Sequence, residues 1–403
     1  MRGSLLTFQD KLGETSLALP PSIVETARNG IELQKVFPTT RHEAWKYTRL
    51  ARVESLVLAP LNFNKAPNIQ PQEETIDIVF ENTGLTIPTP VPGVTITPAD
   101  KISEKDWAAC AAEGHVQHLN ILSAQGGIAV QIAPNVKIKT PIRIIHKILG
   151  SAHALVLHHQ IHVGAQSEVQ VEYVFEGEAS DRYTNVMLDV FLDENSRAHL
   201  DKFIAIEGSY YGFCTERIYQ QKNSYCALQT ITLNTHFTRN DLEVYSQGEG
   251  THTQLYGAFF GTQQQLVDNH TFMHHLSPNC TSDEKYKGVL KDKATGVFNG
   301  KVKVYKDAQK INAFQSNRNL LLSDAATMNS KPELEIYADD VKCSHGCTTG
   351  QIDPTALYYL RARGISKEKA QEMLIKAFIT DVVEAVKSEN IKGKITKWLG
   401  AEI

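Results

Sequence analysis

The sequence predicts a mainly β protein: a long strand-built core with a helical region at each end. Three observations carry this. From about Gly126, apolar and polar residues alternate with a period of two for more than 200 residues, as Val169, Val171 and Tyr173 do against Glu168, Gln170 and Glu172. Such alternation marks half-buried strands. Small turn residues recur at a near-constant interval, and helical spacing is confined to the two ends of the chain.

A strand region of that length has to close as a sandwich, barrel, propeller or solenoid. Ser167, Ser196, Ser224, Thr251 and Ser282 lie 29, 28, 27 and 31 residues apart. Four residues beyond them stand Val171, Leu200, Leu228, Leu255 and Tyr286. Two residues beyond the first four stand the modest side chains of Val169, Ala198, Cys226 and Thr253, while Glu284 breaks the pattern at the fifth. A small corner residue followed by inward side chains at +2 and +4 suits stacked β-coils that bury their interior against neighbours. The solenoid is therefore favoured over a meander of hairpins.

At the N-terminus, Pro20-Pro21-Ser22 opens a helix carrying Ile23, Val24, Ala27, Ile31 and Val36. Pro38-Thr39-Thr40 ends it, and Asn62 to Pro98 reads as a connection with a strand or two. A short helix is expected from Ser103 to Ala112, capped by Ser103 with Trp107 packing inward. Beyond the strands, Asp353-Pro354 caps and opens a helix that Gly364 stops. Ser366 caps a second helix, with Ala370, Met373, Leu374, Ala377, Phe378, Val382, Ala385 and Val386 as its apolar stripe. This pair is either a cap on the solenoid or a docking hairpin. The expected regions are 1–115, 116–350 and 351–403.

Composition narrows the function. The 403 residues suit two or three domains at roughly 150 residues each. The net charge of −4 gives no basic footprint for nucleic acid. No apolar stretch approaches a membrane span, and Met1 to Gly13 lacks a signal-peptide core, so a cytoplasmic protein is expected. The six cysteines, Cys110, Cys214, Cys226, Cys280, Cys343 and Cys347, are too sparse for a disulfide scaffold.

Motifs for nucleotide hydrolysis, metalloproteolysis and serine hydrolysis are missing together. The histidines His153, His158, His159 and His162 divide between two faces of a strand, which argues against a shared metal. His270, His274 and His275 form a second cluster beside Asp268. Cys343-Ser344-His345-Gly346-Cys347 is the sharper signal. On an extended strand Cys343, His345 and Cys347 share one face about 7 Å apart, so one metal takes two of them at most. The remaining ligands would come from another segment or chain; otherwise these are incidental residues of a surface strand.

Longer runs are recognisable. Phe314-Gln315-Ser316-Asn317-Arg318-Asn319-Leu320-Leu321-Leu322-Ser323, Lys331-Pro332-Glu333-Leu334-Glu335-Ile336-Tyr337-Ala338-Asp339-Asp340-Val341-Lys342 with the cysteine run after it, and Tyr358-Tyr359-Leu360-Arg361-Ala362-Arg363-Gly364-Ile365 resemble the SufB/SufD family. So do Val297-Phe298-Asn299-Gly300, Val267-Asp268-Asn269-His270 and Trp45-Lys46-Tyr47-Thr48. The cysteine run and the Trp-Lys-Tyr-Thr segment resemble the SufD branch. Ser316 follows Gln315 where SufB has its key cysteine, and Cys347 stands where SufD chains commonly have alanine.

The resemblance implies a right-handed parallel β-helix and a non-catalytic scaffold subunit of a SufB–SufC–SufD complex that assembles iron–sulfur clusters. It implies that His345, with Cys343, faces SufB where a transient nascent cluster forms. It places docking of the SufC ATPase at Tyr358, Tyr359, Leu360, Arg361, Arg363 and Gly364. Pairing with SufB by strand addition, and a homodimer of the isolated chain, are further expectations. A flavin in the complex finds no support in the sequence. The alternatives are a structural adaptor for SufC without a metal role, and a β-helix enzyme acting on carbohydrate, which the missing export signal disfavours.

Overall fold

The computed structural model describes residues 5–402 except 35–36, 62–67, 71–74, 82–83, 103–106 and 108–113. Strands make up 51% of the chain and wind into a parallel β-solenoid of about eight turns. Each turn gives one strand to each of two walls. The first wall contains Ile142–Ser151, the opening halves of Glu168–Leu192 and Arg197–Gln220, then Tyr225–Leu233, His252–Gly261, Thr281–Leu290, Ile311–Leu321 and Val341–Gly350. The second contains His153–Val163, the closing halves of the two long strands, then Phe237–Ser246, Leu266–His275, Thr295–Val304 and Thr327–Ile336. All these pairings are parallel, and the two long strands shift register only between Gly208 and Tyr210, where they pass from one wall to the other, so within each wall identical positions of successive turns stand in columns.

The turn chemistry fixes that register. Ser167, Ser196, Ser224 and Thr251 form one column, because Arg197 pairs with Glu168 and Tyr225, and Tyr225 with His252. Ser196 and Ser224 donate their hydroxyls to the carbonyls of Asp193 and Gln221, each at 2.7 Å. Immediately before this column lies another, Gln166, Asn195, Asn223, Gly250, Asn279 and Lys310, with φ between 54° and 71°. Asparagine and glycine tolerate this left-handed conformation better than other residues.

The fifth repeat is offset from its sequence reading. Thr281 pairs with His252, so Cys280 stacks on Thr251, while Ser282 continues the Val169–Ala198–Cys226–Thr253 column. Glu284 then occupies the interior place of Leu255. The break that Glu284 makes is a change of chemistry inside the solenoid, not a loss of the repeat.

The two ends differ. At the N-terminal end Ile76–Glu81 pairs antiparallel with Gly84–Pro88, and Val94–Pro98 with Ile128–Ile132, which folds chain back over that end. At the other end, among the described residues, Thr327–Ile336 pairs only with Thr295–Val304, and Val341–Gly350 only with Ile311–Leu321. The last turn is an open edge.

Helices cover the outer faces of the walls. α1 (Leu5–Leu12), α2 (Pro21–Gln34), the short α3 (Ala51–Glu54) and α4 (His115–Ser123) make up the N-terminal region. Phe8, Ile31 and Leu119 pack there with Tyr183, Phe213 and Phe237 of the second wall. The helix expected from Ser103 to Ala112, and Cys110 with it, lie outside the described residues apart from Trp107, which is buried. α5 (Pro354–Arg361), α6 (Lys367–Ala385) and α7 (Glu389–Glu402) follow the solenoid. Asp353 and Ser366 cap α5 and α6 through the backbone N–H groups of Thr355 and Lys369. α6 and α7 lie along the flank of the first wall rather than across an end, with Ile375, Ile379, Val382 and Ile395 against Phe203, Ile231 and Phe260. The buried stripe of α6 is thus Ala370, Ile375, Ile379 and Val382, and Met373 of the expected stripe is 41% exposed. Of the expected stripe, Ala370, Val382 and Val386 are buried and Phe378 and Ala385 pack against the same cluster, while Ala377 is exposed with Met373 and the stripe missed Ile375 and Ile379.

Asn223→Val should cost about 1–2 kcal/mol through the left-handed backbone, whereas Asn223→Gly should be nearly neutral; chemical denaturation of both variants measures this.

Candidate functional site at the open turn

The interior columns of the first wall change character towards the open edge. One runs Val171, Leu200, Leu228, Leu255, Glu284, Gln315, His345. The next ends Tyr286, Asn317, Cys347. The first becomes polar over the last three turns, whereas the second already holds Lys202 and Thr230 deeper in the solenoid. Cys343, His345 and Cys347 therefore share one side of the final strand, as their spacing predicts, and that side is the interior one. With no turn above them, they line the mouth of the solenoid.

Below the mouth the polar groups form two bonded sets. Gln315 Nε2 donates to Glu284 Oε2 at 2.9 Å, and both residues are buried. Asn319 Nδ2 donates to Asn317 Oδ1 at 2.7 Å and Ser330 Oγ donates to the same oxygen at 2.8 Å. Cys347 Sγ donates to Ser330 Oγ at 3.0 Å, joining the two walls across the mouth. Deeper inside, the buried Lys202 ammonium donates to Glu216 Oε1 at 2.6 Å and to Asn240 Oδ1 at 2.9 Å.

The two cysteines are not equivalent. Cys343 is half-buried against the solenoid core, and burial pushes its thiol up. Cys347 and His345 are exposed. Among the described residues no three His, Cys, Asp or Glu side chains converge as a metal site. The mouth offers two soft or borderline ligands and leaves the rest of a coordination sphere to be supplied from outside the chain.

The other histidine clusters have separate duties. His159 Nε2 meets His146 Nε2 at 3.0 Å inside the solenoid, where burial holds both imidazoles well below their ordinary value. His158 instead meets Asp189 at 2.8 Å, and His162 stacks on Phe191. His270 reaches Asp268, His274 stacks on Tyr245, and His275 bonds to Ser282. Neither cluster converges.

Two motif segments prove to be partners. Thr48 Oγ1 donates to Asp268 Oδ2 at 2.5 Å, and Arg239 Nη1 donates to the same oxygen at 3.0 Å and to the Ala44 carbonyl at 2.8 Å. The Arg239 guanidinium lies 3.9 Å from the centre of the Trp45 ring. Burial works to raise the Asp268 carboxyl, but His270 and Arg239 more than offset it and hold the group well below the ordinary carboxylate range. Lys331 reaches Glu43 at 2.7 Å, tying the same segment to the penultimate strand. Sequence reasoning singled out both motifs and gave neither a role; their function is a clasp.

Next to the mouth, α5 buries no residue. Tyr358 is 75% exposed and Tyr359 56%, with the Arg363 guanidinium 3.5 Å from the Tyr359 ring centre. Arg361 is exposed too, Leu360 is half-buried, and Gly364 takes the positive φ of 84° that ends the helix. Ser316 lies in register between Lys285 and Gly346. It falls on the opposite side of its strand from Gln315, away from the interior.

The fold is thus a parallel β-solenoid whose final strand carries Cys343 and His345 at an open edge, with helices along its flank. Residues 146–378 match the family model described as SUF system FeS cluster assembly, SufBD core domain, and the chain belongs to this SufB/SufD family. It is similar to the iron–sulfur cluster assembly protein SufD of Escherichia coli, 28% identical over 92% of this chain and 90% of that one. SufD of Bacillus subtilis is 26% identical over 69% of this chain and 64% of its own length. An iron–sulfur cluster assembly SufBD family protein of Synechocystis is 26% identical over 89% and 86%.

Burial, the largest cause, pushes the Glu284 carboxyl up to about 7, with Asp283 adding to it and Thr271 and Gln315 opposing it. The folded chain therefore favours the protonated acid. The stability Glu284 gives is fully present below its ordinary value near 4.5 and is lost as pH rises through about 7. Glu284→Gln, which mimics the protonated acid, should be more stable than wild type at pH 8.5 by on the order of 3 kcal/mol. The gap should narrow towards pH 5 in thermal unfolding.

Proposed function

We propose that this chain is a non-catalytic scaffold subunit in iron–sulfur cluster assembly, acting in the cytoplasm within a SufB–SufC–SufD complex. The observation that carries this reading is the placement of Cys343 and His345 on a final strand whose outer edge is open, at a polar mouth. An unpaired edge recruits another strand, and a SufB-like paralogue of the same fold would continue the ladder in register. His345, with Cys343, would then face that subunit and lend ligands to a nascent cluster, which passes through as cargo. A thiol and an imidazole suit iron, and the incomplete ligand set fits a site shared between two chains.

The exposed Tyr358 and Tyr359 with Arg361 and Arg363 would dock the SufC-like ATPase. Tyrosine and arginine are the residues that most often dominate binding energy in interfaces. The fixed seat of α6 and α7 on the first wall would carry movement of that partner to the solenoid. A structural adaptor, holding SufC without touching the cluster, is the competing reading.

Iron and acid-labile sulfide, measured anaerobically on the complex co-purified with its partners, separate the two. His345→Ala should leave the complex assembled and remove most of both; equal contents would leave only the adaptor. Tyr358→Ala with Tyr359→Ala should weaken capture of the ATPase subunit about tenfold or more while the melting temperature stays unchanged.

A further inference from the structure

His345 and Gln315 are register partners in the same interior column. Gln315 is 3% exposed, yet its Oε1 has no hydrogen-bond partner among the described residues. A buried amide oxygen left unpaired costs about 1–3 kcal/mol, so an orphan beside a candidate site points to a donor that arrives when the site is filled.

The amide is held in place from two sides. Its Nε2 is bound to Glu284 Oε2, one turn deeper. Across the interior stands Gly300, where an added Cβ would lie 2.2 Å from that same Nε2. The glycine leaves the space that the amide fills. With Nε2 turned to the deeper strand, Oε1 is free for the strand above, and there the register partner is His345.

A histidine that binds a metal through one ring nitrogen nearly always donates the N–H of the other to a carbonyl or carboxylate. That bond sets the tautomer and the ring's orientation. We propose that Gln315 is the positioning residue for His345: its Oε1 accepts the free ring N–H of the imidazole when the other nitrogen binds the nascent cluster, and Glu284 orients the amide for this. The inference rests on the ligand role proposed above for His345. It also explains why a glutamate takes over a column that holds leucine at three turns: the carboxyl is the anchor that turns the amide the right way round.

The test uses the complex co-purified with its partners and reads bound iron over a titration with ferrous iron under anaerobic conditions. Gln315→Leu should weaken iron binding about tenfold or more, and Gln315→Glu, which keeps an acceptor, should restore most of it. Combining Gln315→Leu with His345→Ala should be no worse than His345→Ala alone, because the glutamine acts only through the histidine. Glu284→Leu, a side chain the column already accommodates, should reproduce part of the Gln315→Leu loss while the complex still co-purifies intact. Wild-type iron binding in Gln315→Leu, or additive losses in the double variant, would overturn the proposal while leaving the role of His345 intact. If His345→Ala itself binds iron like wild type, the ligand reading fails, and this inference with it.

Discussion

In-register parallel stacking is the constraint from which the rest of this molecule follows. Each turn satisfies its backbone N–H and C=O groups on the turns before and after it, so a one-residue slip would reverse every side chain in a strand. The left-handed column from Gln166 to Lys310 resets the chain at the same point of each turn and keeps the count. Once register is fixed, interior positions become columns, and a change in one turn is felt directly above and below it. That is why a glutamate at 284 and a glutamine at 315 bear on a histidine at 345 that lies far away in sequence.

The same constraint explains where chemistry is placed. The deep turns are filled largely with valine, leucine and isoleucine, and there Lys202 is paired with Glu216 and Asn240. A buried ion pair of this kind contributes little net stability, although breaking it is costly. Towards the mouth the first-wall columns bring buried amides and a carboxyl at Glu284, Gln315 and Asn317, and at the open turn the exposed His345 and Cys347. The N-terminal segment reaches over the second wall to brace this end: Asp268 gathers Thr48, Arg239 and His270, and Lys331 holds Glu43. The open turn is stiffened from its flanks while its face stays uncovered.

Much of this was legible in the chain. The period of two and the 28-residue spacing carried the solenoid, and Asp353, Pro354, Gly364 and Ser366 marked the C-terminal helices at their observed ends. The shared side of Cys343, His345 and Cys347 followed from strand geometry alone. What escaped was whatever depended on register. Ser282 was read as a corner because it is a serine, when the corner is Cys280, and the slip hid the polar column beneath His345. The left-handed positions before the corners, three of the six being asparagine, are a second ruler that the serine spacing did not use. The α6 stripe found Ala370, Val382 and Val386 but not Ile375 and Ile379, and the pairing of Thr48 with Asp268 spans too much sequence for any local pattern.

The bare last turn also has a consequence for supply. A solenoid with one finished end and one unfinished end has a polarity, and growth is possible only at the unfinished one. A second chain of the same kind, meeting it mouth to mouth, would close both ends at once and stop at two, whereas a strand from an unrelated protein would leave a new edge behind. Mouth-to-mouth pairing of two such chains would therefore end in a closed pair rather than a fibre. Every copy made in excess carries an unsatisfied edge, which only another copy or a mismatched strand can cover.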